Sequence, residues 1–129
     1  LGKHISYAED LSNDRLDELG VVKRKLSLKW TQRSCDVPLG IPYNIASYGL
    51  LLHLLCREVN MIPDQLIFSG GDCHIYLNQV NGVEDQLNNE TFKLPKLELS
   101  NSSIDELKYE DIKVIGYKSS STVKFPLSN

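Results

Sequence analysis

The first cluster of residues that could carry chemistry runs from Gln32 to Asp36 and contains Arg33 next to Ser34. A guanidinium beside a hydroxyl offers a planar fork of hydrogen-bond donors plus one further donor, which suits a phosphate group. Asp36 would add an acceptor nearby. The same string also occurs in solvated loops that contain an internal ion pair. Both interpretations stay open from these residues alone.

The second cluster runs from Gly40 to Tyr48 and contains Asn44 at the predicted start of a helix. Asparagine is a common N-cap residue, so a purely structural role is one interpretation. The Asn44 amide also carries both a donor and an acceptor. That combination can read the N3–H and O4 edge of a uracil ring.

The third cluster runs from Ser69 to Tyr76. Its glycines, Gly70 and Gly71, allow close backbone approach to a ligand, or a bulge. His74 and Tyr76 are two residues apart on an extended segment and therefore face the same side. Two polar rings on one face could hold a sugar hydroxyl, although such a pair also occurs as plain structure.

These clusters must be positioned by strands and helices. Lys25–Trp30 alternates polar and apolar residues and predicts a half-buried strand, whereas Cys35–Pro42 predicts a loop. Asn44–Met61 predicts the longest helix, and its leucine-rich middle predicts that it is buried and central. Further elements are predicted in chain order: a strand at Gln65–Phe68, a turn or bulge at Ser69–Asp72, an extended segment at Cys73–Leu77, a helix at Val80–Asn89, and strands at Pro95–Leu99 and Asp111–Gly116.

The N-terminal region is more polar. Lys3–Tyr7 predicts a short strand, and Ala8–Val22 predicts a loop insertion with one helical turn after Asn13. The mixture of elements predicts an α+β fold, and 129 residues predict a single domain over the whole chain.

Composition excludes several classes of protein. Apolar residues make up 41% of the chain. The net charge of −3 argues against binding to a nucleic-acid polymer. We expect no membrane span, because His53 interrupts the longest apolar run. Three cysteines without a CxxC pair predict neither a disulfide framework nor a metal site, and they favour a reducing cytoplasm.

Together, QRSCDVPLGIPYNIASY and FSGGDCHIYLNQ closely resemble the thymidylate synthase family in order and spacing. The resemblance runs from about Lys25 to the C-terminus. It implies a mixed β-sheet packed on a long buried central helix, in a homodimer. It also implies conversion of dUMP to dTMP, with 5,10-methylenetetrahydrofolate giving both the carbon and the hydride, and no metal.

The resemblance assigns roles residue by residue. Arg33 and Ser34 correspond to ligands of the nucleotide phosphate, and Asn44 to the residue that reads the uracil edge. His74 and Tyr76 correspond to the pair that holds the sugar hydroxyl, and Asp36 corresponds to the catalytic carboxylate that orders base and folate. Leu39 and Gly40 correspond to folate contacts, and Lys124 corresponds to a basic residue of the closing tail.

The family's nucleophile is a cysteine thiolate that attacks C6 of the pyrimidine. It lies in a Pro-Cys-His motif upstream of the part that this chain matches, so we expect a complementary N-terminal polypeptide to supply it. The alternatives are a non-catalytic nucleotide-binding module and a deoxycytidylate hydroxymethylase. Relatives with the latter activity carry aspartate at the position of Asn44, which favours uracil here.

Overall fold

A computed structural model describes residues 12–22 and 24–128, and these combine helices with two small sheets. The predicted α+β class is therefore confirmed, while the strand predicted at Lys3–Tyr7 lies outside the described residues. In chain order the elements are α1 Asn13–Glu18, β1 Lys25–Asp36, α2 Gly40–Glu58, β2 Ile62–His74, a 3-10 turn Leu77–Gln79, α3 Val80–Leu87, β3 Lys96–Leu99, a second 3-10 turn Tyr109–Asp111, and β4 Ile112–Ile115.

The first sheet is a parallel pair. At its start, the N–H of Ile62 donates to the carbonyl of Arg24 at 2.8 Å, and at its end the N–H of Val37 donates to the carbonyl of His74 at 3.0 Å. Both strands therefore run in the same direction, with α2 as the crossover that parallel strands need. The second sheet is antiparallel and pairs β3 with β4.

Helix α2 begins earlier than predicted, at Gly40, so the predicted loop over Cys35–Pro42 is wrong at both ends. Strand β1 continues through Asp36, and the helix starts four residues later. Pro42 fits inside the first helical turn, because backbone N–H groups there have no intrahelical partner.

Strand β2 is also longer than predicted, because it runs without interruption from Ile62 to His74. The turn or bulge predicted at Ser69–Asp72 is wrong. The later elements agree with prediction to within two residues at each end.

The chain divides into two compact units. The first unit contains the described residues up to Thr31 together with Ile45–Ser69. The second unit contains Gln32–Asn44 and the described residues from Gly70 onward.

An aromatic cluster forms the core of the first unit. Trp30 is 7% exposed, and its ring centroid lies 4.9 Å from those of both Tyr48 and Phe68. Leu52 is buried beside the buried Cys56 on one face of α2. The buried central helix that the sequence predicts is therefore covered on one side only, and other residues of α2, such as Leu51, are exposed.

The segment predicted as a polar insertion contributes to this first unit. The Ser12 side chain accepts a hydrogen bond from the N–H of Arg15 at 3.3 Å and caps α1. Leu16 is 2% exposed, and Asp17 pairs with Arg24 and accepts a hydrogen bond from Asn60 at 3.1 Å. The helical turn predicted after Asn13 is thus a short helix with its own apolar anchor.

Within the described part of the chain, no helix is both long enough and apolar enough to cross a membrane.

Candidate functional site

The second unit contains every predicted site residue. They lie at the end of β1, in the turn into α2, in the first turns of α2, and at and just after the end of β2. These residues are Arg33, Ser34, Asp36, Leu39, Gly40, Asn44, His74 and Tyr76.

Arg33 and Ser34 are consecutive exposed residues of β1. Burial along β1 alternates as far as Gln32 and then shifts to Cys35, so both side chains in between face solvent. Among the described residues, neither side chain has a hydrogen-bond or ion-pair partner. The interpretation as a loop with an internal ion pair is therefore wrong, and the guanidinium and the hydroxyl are both exposed to solvent as possible donors to an anion.

Asp36 is half-buried, and each of its carboxylate oxygens has a partner. Oδ1 accepts the N–H of Leu39 at 3.0 Å, and Oδ2 accepts the side-chain N–H of Gln79 at 3.1 Å. These two bonds fix the plane of the carboxylate. Each oxygen keeps a second lone pair, so Asp36 can still accept a hydrogen bond from a ligand.

Asn44 lies within α2, one turn beyond its first residue, so the N-cap interpretation is wrong. Its Oδ1 accepts a hydrogen bond from Nε2 of Gln32 at 3.2 Å. This bond orients the amide and leaves both Nδ2 hydrogens for other partners. A Cβ on Gly40 would lie 3.7 Å from Cβ of Asp36 and 3.8 Å from Oδ1 of Asn44, so the two polar side chains flank the same glycine.

His74 and Tyr76 pack edge to face, with ring centroids 5.0 Å apart and planes inclined by 79°. Nδ1 of His74 lies 3.2 Å from the backbone carbonyl of Asp72, which holds the imidazole ring in place. Nε2 is then the nitrogen that remains for a ligand. The prediction that the two rings share one side is confirmed.

Gly71 connects the first and third clusters. A Cβ at this position would lie 2.9 Å from the carbonyl oxygen of Arg33, closer than real side chains come. The glycine is therefore needed where β2 passes the backbone of β1. The close approach that the sequence predicts is therefore an approach to a neighbouring strand. Gly71 itself lies within an uninterrupted strand and not in a bulge.

Sequence reasoning missed Gln79, which is fully buried. Its Nε2 donates to Oδ2 of Asp36 at 3.1 Å and to the carbonyl of Pro126 at 3.2 Å. Its Oε1 accepts the N–H of Tyr76 at 3.1 Å. Gln79 is the last residue of the second matching motif, and nothing in the sequence besides that position could have indicated its burial.

The C-terminal tail lies against the segment that contains Gln79. A Cβ on Gly82 would lie 2.9 Å from the ring of Phe125, so the tail packs directly on α3. The hydroxyl of Ser128 donates to Oδ1 of Asn78 at 2.8 Å. Lys124, the predicted tail cation, is exposed between these contacts.

The cysteines differ in exposure: Cys35 and Cys56 are buried, and Cys73 is exposed. Burial raises the pKa of the Cys35 thiol, and a hydrogen bond with Cys73 raises it further. Burial also raises the pKa of Cys56. A raised pKa lowers the thiolate fraction near neutral pH, so neither buried thiol is suited to nucleophilic attack.

The candidate site coincides with neither of two cavities in the second unit. The two cavities, of about 200 and 690 Å³, are both lined by residues between Glu98 and Lys113, and no predicted site residue lines either. Within the described ranges, no three His, Cys, Asp or Glu side chains converge as metal ligands would.

Known proteins are similar to this chain over most of its length. Residues 15–129 match the family model for thymidylate synthase. The chain is 42% identical to the thymidylate synthase of Staphylococcus haemolyticus over 105 residues, and 44% identical to that of Francisella tularensis subsp. holarctica over 110 residues. These alignments cover 81% and 84% of the chain, respectively.

A solved structure is also similar. The thermostable thymidylate synthase A from Bacillus subtilis superposes with a TM-score of 0.75 at 28% identity, over 80% of this chain and 38% of that one. The chain spans 33% and 40% of the Staphylococcus and Francisella relatives. The sequence match over most of its length, together with the structural similarity, establishes that the chain belongs to the thymidylate synthase family.

Proposed function

We propose that this chain is the C-terminal part of a thymidylate synthase that converts dUMP to dTMP with 5,10-methylenetetrahydrofolate as co-substrate. One observation carries the proposal: all eight site residues fall inside the family match and inside one compact unit. The family match supports the reaction class, and the location of all eight residues in one unit supports a shared site.

The nucleotide is held by three kinds of group. Arg33 and Ser34 bind the phosphate through charge-assisted hydrogen bonds, which are about twice as strong as neutral ones. Asn44 reads the uracil edge: Oδ1 accepts from N3–H and Nδ2 donates to O4. His74 and Tyr76 hold the 3′-hydroxyl of the sugar from the end of β2.

The folate site includes Asp36, Leu39 and Gly40. The folate supplies the one-carbon unit and the hydride. Asp36 fits the role of an orienting carboxylate, because its two internal hydrogen bonds fix its position while leaving it lone pairs. Gly40 has no side chain and so leaves open the space between Asp36 and Asn44.

The nucleophilic cysteine comes from a polypeptide segment outside this chain. The raised pKa of the buried thiols makes Cys35 and Cys56 unsuited to this role, and the exposed Cys73 lies beside the sugar-binding pair and does not match the family's Pro-Cys-His motif. The active assembly then contains this chain, a complementary N-terminal segment and, as a further part of the proposal, a second copy in a homodimer. We place it in the cytoplasm, in accordance with three free cysteines.

Two measurements test the proposal. Calorimetry measures dUMP binding by the 129-residue chain. A tritium-release assay with dUMP labelled at C5 measures turnover, with and without an N-terminal polypeptide taken from the Francisella relative. We expect binding by the chain and tritium release only with the added polypeptide. Absence of calorimetric dUMP binding, both by the chain alone and by the chain with the added polypeptide, overturns the proposal.

A non-catalytic nucleotide-binding module is the second candidate, favoured by the lack of a reactive thiol among the buried cysteines. It predicts dUMP binding without tritium release in either mixture. A deoxycytidylate hydroxymethylase is disfavoured by the neutral amide of Asn44, since a carboxylate suits the cytosine edge. A measured preference for deoxycytidylate over dUMP would reverse that assignment.

A further inference from the structure

Gln79 occupies a position that the proposed reaction does not explain. It is a polar residue with no solvent exposure, and burial of an amide is unfavourable unless its hydrogen-bonding groups find partners. Here both Nε2 hydrogens and the Oε1 acceptor have partners. The side chain is therefore fixed by three separate segments of the second unit.

Two of those segments contain candidate site residues, and the third is the C-terminal tail. Oδ2 of Asp36 is part of the folate site, the N–H of Tyr76 belongs to the sugar-binding pair, and the carbonyl of Pro126 lies in the C-terminal tail. A single amide group thus links the tail to the site carboxylate. Since Nε2 has two hydrogens, loss of the tail carbonyl would leave one of them buried without its partner.

We infer that Gln79 is a positioning residue that couples docking of the C-terminal tail to the orientation of Asp36. With the tail docked, Nε2 is held between Pro126 and Asp36, and the carboxylate plane is fixed. With the tail released, the amide loses one of the contacts that hold it, and Asp36 is less constrained. Coupling of this kind is reciprocal, so disturbing Asp36 also weakens tail docking. The inference rests on the proposed function, because Asp36 acts on substrate only in that context.

The direct test replaces Gln79 with glutamate. Gln79→Glu keeps the size of the side chain and the acceptor for Tyr76, but removes both donors and places a carboxylate against Asp36. The matched control is Gln86→Glu, which makes the same change of charge at an exposed position of α3. Gln79→Leu removes the donors, and with them the acceptor for Tyr76, without adding charge, so an acceleration shared by both variants does not come from repulsion.

Two ligand-free readouts follow the coupling in the 129-residue chain. Trypsin cleaves after the exposed Lys124, so the rate of release of the last five residues under native conditions reports tail docking. Exchange of the Leu39 N–H, which donates to Oδ1 of Asp36, reports the order of the carboxylate. We expect Gln79→Glu to accelerate both cleavage after Lys124 and exchange of the Leu39 N–H by about tenfold, which corresponds to a loss of about 1.4 kcal/mol. Gln86→Glu should leave both rates unchanged.

A tail variant tests the coupling from the opposite end. Phe125→Ala removes the ring that packs on Gly82 and leaves Gln79 intact. We expect faster cleavage after Lys124 and also faster exchange at Leu39. Faster cleavage with unchanged Leu39 exchange would overturn the coupling, whatever the variant does to overall stability.

The kinetic readout uses the tritium-release assay with the N-terminal polypeptide present. Because Gln79 holds the folate-side carboxylate and not the phosphate ligands, Gln79→Glu should raise KM for methylenetetrahydrofolate about tenfold and leave KM for dUMP nearly unchanged. If Gln79 only stabilised the fold, Gln79→Glu would lower activity without changing the two KM values differently, and this outcome would overturn the inference. Failure of the unaltered chain to bind dUMP both with and without the N-terminal polypeptide identifies failure of the proposed function itself.

Discussion

The two compact units differ in what they bury. The first unit buries Leu16, Trp30, Leu52 and Cys56, and its aromatic rings stack on one another. The second unit buries Cys35, Pro38 and the polar Gln79, and the Gln79 side chain is held by directed hydrogen bonds.

This difference separates stability from function. Apolar packing is non-directional and gives the larger share of folding free energy. Hydrogen bonds contribute less in net terms but fix the orientation of particular groups. We therefore expect changes in the first unit to alter stability more than binding, and changes in the second unit to alter binding more than stability.

The largest effect is expected for Trp30→Ala in the first unit. The substitution removes the ring that contacts Tyr48 and Phe68, and should lower the free energy of unfolding by about 3–5 kcal/mol. Urea denaturation measures this change in the free energy of unfolding. The control Tyr109→Ala, at a residue 87% exposed in the second unit, should change stability by less than about 0.5 kcal/mol. Equal effects of the two variants would show that the Trp30 cluster is not the stabilising core of the first unit.

Arg33→Ala should have the next largest effect, this time on binding. Loss of the guanidinium should weaken dUMP binding by roughly 1.5–3 kcal/mol, because hydrogen bonds to charged groups are worth that much. Calorimetry provides the measurement. Lys29→Ala removes an exposed cation from the same strand, within the first unit, and should leave affinity unchanged. Unchanged affinity for Arg33→Ala would show that the phosphate lies elsewhere.

A change of specificity is expected for Asn44→Asp. The carboxylate cannot donate to O4 of uracil but can accept from the amino group of cytosine. Relative affinity should shift toward deoxycytidylate by about tenfold, or about 1.4 kcal/mol. Competition binding with both nucleotides measures this, and Asn101→Asp, at an exposed position, is the matched control. An unaltered base preference would contradict the role of Asn44.

The smallest effect is expected for Ser12→Ala in the first unit. Loss of the N-cap of α1 should cost about 0.5–2 kcal/mol of stability without any change in dUMP affinity. Ser12→Asp keeps a side-chain acceptor and should retain most of that stability. If Ser12→Ala instead weakened nucleotide binding, the first unit would have a functional role that we do not assign to it.

The grouping of the predicted site residues in one unit follows from the sequence more closely than the bounds of the elements that carry them. Arg33, Asn44 and His74 are predicted as nucleotide ligands from the family resemblance of motifs whose donor and acceptor chemistry fits that role, and all three lie in one unit. The course of β2 was predicted wrongly, because paired glycines usually mark turns. Gly71 is instead required by the carbonyl of Arg33 on the neighbouring strand, a constraint that local sequence does not express.

Gln79 was not predictable for a related reason. Its partners Asp36 and Pro126 are 43 and 47 residues away in the chain, so its burial depends on non-local contacts. The start of α2 was missed because Gly40 and Pro42 are typical of loops, although proline is well tolerated in a first helical turn. Periodicity predicts which face of an element is apolar, but not which polar residue the tertiary structure will enclose.

Gly82 limits how this protein could be engineered. Replacing a helical glycine with alanine is a common route to thermostability, and it favours the helix by up to about 1 kcal/mol. Here the added methyl group would lie 2.9 Å from the ring of Phe125, so a substitution that strengthens α3 would push away the tail that lies on it. A library selected for heat resistance alone would be expected to accept alanine at this position and to lose tail docking as a result.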